Sequence, residues 1–213
     1  MRRLTLAVTL AAALGAVAAY AGWPRRADLR AFDPAGMARL ESAIWRDYYD
    51  KRYPALFGHL YELSRTQFGF SPFDSVRIAV AAAKTARAFQ PTHSRQEANA
   101  ALPWLATYYR LLARAAPVAF DENEAARLEL DWWQARREAI GPQDYGVTVA
   151  SVAALTYGKP ADDAALLQSG IGRAEAMAYR DARGQGMTEG DWTEIERQLR
   201  RAYGLLKVAV GSH

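Results

Sequence analysis

Apolar residues recur along most of the chain at the three- and four-residue spacing of a helix face. Leu102, Leu105, Tyr108/Tyr109 and Leu112 form one stripe, and Trp192, Ile195, Leu199, Ala202 and Leu206 form another. No segment sustains the apolar–polar alternation of a half-buried strand bounded by turns. Helix-start signals fall between the stripes. Asp33-Pro34, "SPFD" from Ser71, "SRQE" from Ser94 and "DENE" from Asp121 each offer a capping side chain, and "GPQD" near 142, "KPADD" near 160 and "TEGD" from Thr188 open further helices. The pattern predicts helices over 34–68, 72–90, 95–115, 122–140, 143–157, 160–182 and 189–209. Short connections make consecutive helices antiparallel neighbours. The fold class is therefore all-α, a compact bundle of about seven antiparallel helices preceded by an apolar anchor or signal helix.

That preceding segment follows Arg2 and Arg3 with an uncharged run from Leu4 to Trp23. It is as long as a bilayer-spanning helix of roughly 20 residues. Ala19-Tyr20-Ala21 also fits the small-x-small pattern of a signal-peptidase site. Arg25 and Arg26 beyond the run oppose export and pull that side toward the cytoplasm, against Arg2 and Arg3. The organisation expected is 1–23 as signal peptide or single membrane anchor, 24–33 as juxtamembrane linker and 34–213 as one helical-bundle domain. The membrane is the expected partner through residues 4–22, and the expected location is the cell envelope, inner-membrane anchored or exported, with the periplasmic side favoured.

Composition narrows the chemistry. The chain has 213 residues, 51% of them hydrophobic, with a formal charge of +4 and no cysteine. A missing thiol excludes disulfides, thiolate metal sites and cysteine nucleophiles. Arginines and acids alternate without a basic block, which argues against a nucleic-acid partner. The phosphate-binding, dinucleotide, zinc-protease and serine-hydrolase motifs are absent. "HLYE" (His59 to Glu62) offers only a single His/Glu pair, in reversed order for a di-iron bundle, so no metal and no cofactor is expected.

Two stretches mix aromatic and charged residues most densely. In 43–65, Trp45, Tyr49, Tyr53, Phe57 and Tyr61 run at four-residue intervals beside a second apolar face, with Pro54 set to kink the helix. In "RLELDWWQARRE", Glu129, Trp133 and Arg136 share one strip. Buried tyrosine hydroxyls need partners. The two helices are therefore expected to face each other, with Glu129 and Arg136 joining Arg46 or Arg52 and the tyrosines. The candidate binding cluster is Glu41, Trp45, Tyr48, Tyr49, Arg52, Glu129, Trp133 and Arg136, with no catalytic residue assigned. It suits a non-enzymatic binding or scaffold module for a protein partner or small apolar ligand. The alternative is an enzyme or ligand binder using a buried Glu/Arg/Tyr cluster without metal, with Glu129 or Glu41 as its carboxylate.

Overall fold

The fold is taken from a computed structural model that describes residues 2–22 and 26–211, with side chains over 9–20 and 26–211. Its helices are α1 (Arg2–Gly22), α2 (Pro34–Tyr49), α3 (Tyr53–Thr66), α4 (Pro72–Phe89), the single turn α5 (Arg95–Ala98), α6 (Leu102–Leu112), α7 (Glu122–Arg137), α8 (Pro142–Tyr157), α9 (Ala164–Arg183) and α10 (Glu189–Gly211). Among the described residues there is no strand.

The caps read from the sequence are made. Asp33 accepts from Gly36 N at 2.7 Å, Ser71 from Asp74 N at 3.0 Å and Asp121 from Asn123 N at 2.8 Å. Thr188 and Asp191 bond each other's backbone N–H reciprocally, at 3.2 and 2.9 Å. Near 160 the helix starts later than expected, because Asp163 takes two N–H groups, those of Ala165 and Leu166, and so sets the first turn.

Three expectations need correction, the first being that the 95–115 segment is not one helix but the single turn α5 and the helix α6, each followed by a 3-10 turn, at Asn99–Ala101 and Ala113–Ala115. The 34–68 segment is two helices, α2 and α3, not one kinked helix. Lys51 at φ 58° ends α2, with Lys51 N bonding Tyr48 O and Arg52 N bonding Asp47 O. This is the Schellman arrangement, built here without glycine. The expected linker 24–33 carries Leu29 and Phe32, 3% and 1% exposed, so its second half belongs to the core.

The core is continuous from Phe32 and Met37 through Leu105, Leu130 and Leu166 to Ile195 and Leu199. α8 and α9 touch at their glycines: a Cβ on Gly170 would lie 2.4 Å from Gly146 O and 2.6 Å from Ala150 N. α2 packs on α3 and α10, while α7 packs on α6 and α8. α2 and α7 thus stand on different sides of the interior, and the space between them is the feature that matters below.

In α1, residues 9–20 are exposed. Among the described residues no helix is long and apolar enough to cross a membrane. The apolar run of the sequence begins and ends in positions 4–8 and 21–23, whose side chains lie outside the described residues.

Candidate functional site

A cavity of about 280 Å³ lies among α2, α3, α4, α6, α7, α9 and α10. One wall is aliphatic and aromatic: Leu56, Leu60, Leu63, Phe68, Ile78 and Phe89, with Ala82 and Ala86 of α4 leaving room. The opposite wall is polar and aromatic, formed by Glu41, Tyr48, Tyr108, Glu129, Arg136, Arg173 and Tyr203 beside Trp45, Trp132 and Trp133.

The first polar group is built on α2, α9 and α10. Glu41, 8% exposed, accepts from Arg173 Nη2 and from the Tyr203 hydroxyl, both at 2.5 Å. Burial opposes the charge on Arg173, but Glu41, Tyr203 and Glu129 outweigh it and hold the guanidinium well above its ordinary value. Burial likewise pushes the Tyr203 hydroxyl well above 10.0, although Arg173 pulls the other way. Tyr203 is therefore a fixed donor to Glu41.

The second group is on α7. Glu129 accepts from the Tyr109 hydroxyl at 2.8 Å and from the Trp133 indole N–H at 3.0 Å. Burial, reinforced by Glu129, pushes the Tyr109 hydroxyl well above 10.0. Trp133 stacks edge-on against Phe89. The neighbouring Trp132 is buried and its indole N–H has no acceptor.

The third group joins α7 to α2 and α9. Arg136 is held by Asp181 at 2.7 and 3.0 Å and donates to the Tyr49 hydroxyl. Arg180 lies over the Tyr49 ring, 3.2 Å from its centroid. Burial raises the Tyr49 hydroxyl too.

Of the residues expected to cluster, Glu41, Trp45, Tyr48, Tyr49, Glu129, Trp133 and Arg136 all line the cavity. Arg52 does not. It lies half exposed at the α2–α3 turn, paired with Asp47 at 2.8 Å and Asp50 at 3.5 Å. Arg46 also turns away, to Glu189. The facing helices meet across a cavity bridged by Arg136 and Tyr49, not in direct backbone packing. Glu129 has a tyrosine and a tryptophan as partners where an arginine was expected.

The sequence reading missed Arg173, Tyr203, Tyr108, Tyr109 and Met177. The available signal was register. Leu166, Gly170, Arg173, Met177 and Arg180 follow one stride of α9, so two arginines occupy core-facing positions of an amphipathic helix.

His59 is not part of this site. Its Nδ1 is 2.7 Å from Asp47 Oδ2, a buried carboxylate that also holds Arg52. Among the described residues no three His, Cys, Asp or Glu side chains gather in a geometry for a metal ion. The one serine lining the cavity, Ser64, donates to Leu60 O at 3.0 Å. Comparison with protein-family models, with curated proteins and with solved structures finds no match to the chain.

Proposed function

We propose that the cavity is a binding site for a small, largely apolar molecule bearing one polar group, in a module held at or exported across a membrane. What carries the reading is the cavity itself. At about 280 Å³, it approaches the range of small-molecule sites, and it joins an apolar wall to a few converging polar groups. A core evolved for stability alone would close such a space, because voids cost stability. A filled core beneath a broad exposed apolar patch would have spoken for a protein scaffold instead. The membrane part of the proposal is supported by the uncharged run 4–22 between Arg2/Arg3 and Arg25/Arg26, and by the exposed surface of α1.

Trp45, Trp132 and Trp133 line the cavity and supply an intrinsic reporter. Titration with neutral N-phenyl-1-naphthylamine should quench or shift their fluorescence saturably. Ala82→Phe or Ala86→Leu, which fill the cavity from α4, should weaken that response and leave the melting temperature level or higher. Unchanged probe binding in both variants would refute the cavity as the site. Fractionation of a tagged full-length chain tests the membrane part; recovery as a soluble, cytoplasmic, uncleaved protein would refute it.

A further inference from the structure

The charges around the cavity are not evenly matched. Glu41 is neutralised by Arg173 at 2.5 Å. Arg136 is neutralised by Asp181 at 2.7 Å, and Arg180 shares that carboxylate at 3.3 Å. Glu129 differs from both. Its two hydrogen-bond partners, Tyr109 and Trp133, are neutral, and among the described residues no arginine, lysine or histidine forms an ion pair with it. Arg173 is the cation whose field reaches it, and Arg173 is already held by Glu41. Glu129, Glu41 and Arg173 together leave a surplus negative charge at this end of the cavity. The surplus positive charge sits at Arg136, seven residues along α7 and about 10 Å of helix rise away, where Arg180 of α9 shares its Asp181 carboxylate.

Around Glu129 stand aromatic side chains. Tyr108, Trp132 and Trp133 line the same cavity, and Tyr109 packs edge-on against both Tyr108 and Phe120. An engaged but uncompensated carboxylate within aromatic walls is the chemistry that recognises an organic cation. The carboxylate supplies the charge and the ring faces add their quadrupole attraction. A neutral molecule seated there would displace water from a carboxylate and return no countercharge. An anion would meet Glu129 directly, and the Nε and Nη2 donors of Arg136 are already engaged by Asp181 and Tyr49.

We infer that the cavity's ligand carries a protonated amine on an apolar or aromatic body, with Glu129 as its counter-ion. The inference rests on the ligand-binding reading above and assigns the polar group that reading leaves open. The aliphatic wall of Leu56, Leu60, Leu63 and Ile78 receives the body, and the Glu129 side receives the amine.

Isothermal titration of the full chain with 2-phenylethylamine, 2-phenylethanol and 3-phenylpropanoate separates the possibilities, since the three are close in size and differ in charge. The amine should bind about tenfold or more tightly than the alcohol, the step a charge-assisted hydrogen bond confers, and the acid should bind weakest. Glu129→Gln, shown folded by far-UV circular dichroism, should reduce the amine to the affinity of the alcohol. Equal or tighter binding of the alcohol or the acid would overturn the inference and leave the cavity reading intact, as would an amine preference that survives Glu129→Gln. Failure of all three compounds and of N-phenyl-1-naphthylamine to bind would overturn both.

Discussion

Glu41→Ala tests whether the polar wall of the cavity is also a structural joint. The residue is 8% exposed and is the sole ion-pair partner of Arg173 among the described residues, at 2.5 Å, as well as the acceptor for Tyr203 at 2.5 Å. Truncation leaves a guanidinium and a buried phenol without their acceptor, at the meeting point of α2, α9 and α10. Breaking a buried pair from one side costs about 3–5 kcal/mol. Arg173 keeps 26% of its side chain accessible, so water admitted to the cavity recovers part of that loss and places the expectation near 3 kcal/mol. For a chain of this size that is a fall in melting temperature of roughly 6–12 °C. Thermal unfolding followed at 222 nm gives the measurement. The double variant Glu41→Leu with Arg173→Leu removes both charges together and should lose less than either single change, because replacing a whole buried pair with apolar groups is often close to neutral. A single-variant loss within about 0.5 kcal/mol, or a double loss equal to the sum of the singles, would refute the reasoning.

Gly170→Ala should destabilise by about 3 kcal/mol or more, read by the same melts, because the new methyl meets the backbone of Gly146 and Ala150 and not a movable side chain. Ala139→Gly should stabilise by about 1 kcal/mol, since Ala139 holds φ 56° at the Schellman end of α7, where glycine carries no Cβ penalty; a lower melting temperature would contradict this. Tyr109 and Tyr203 bind their protons more tightly folded than unfolded, so their contribution is fully present below the unfolded value of 10.0 and is lost as pH rises toward their higher folded values. Stability should therefore fall steeply above about pH 10, with these two tyrosinates appearing by ultraviolet absorbance only as the helices melt; their ionisation in a chain that keeps its helices would contradict the burial argument.

The helical class and most helix starts were legible because capping is local chemistry. An Asp or Ser with an N–H two or three residues ahead needs nothing from the rest of the fold. Helix ends were less legible for an equally local reason. α2 and α7 both stop in Schellman turns whose left-handed residue is Lys51 or Ala139, so the usual glycine signal is missing. Pro54 drew attention to the right region, but the break falls earlier, at the turn where Asp47 takes the Arg52 backbone N–H on its carbonyl and the Arg52 guanidinium on its carboxylate. Asp47 is 2% exposed and its carboxylate also meets His59 Nδ1 at 2.7 Å, pairings that no apolar pattern announces.

The site was half legible, and the division has a physical cause. α2 and α7 each place several polar and aromatic residues on one strip, so seven of the eight residues named from sequence meet at the cavity. Arg52 failed because it lies past the end of α2, where the helical strip no longer applies. The other contributors, Arg173, Tyr203 and Tyr109, come one or two to a helix and sit within ordinary apolar stripes. Pattern reading assigns such residues to the core and is right about their burial. It cannot supply their partners, because Glu41 and Arg173 are 132 residues apart and Glu41 and Tyr203 are 162 apart. A charge in a core-facing register is nevertheless a demand for a countercharge of the opposite sign elsewhere in the chain. Glu41 meets that demand for Arg173, and Asp181 meets it for Arg136. Glu129 occupies the same kind of position with only neutral donors around it, which is why the search for its countercharge leads out of the chain and into the cavity.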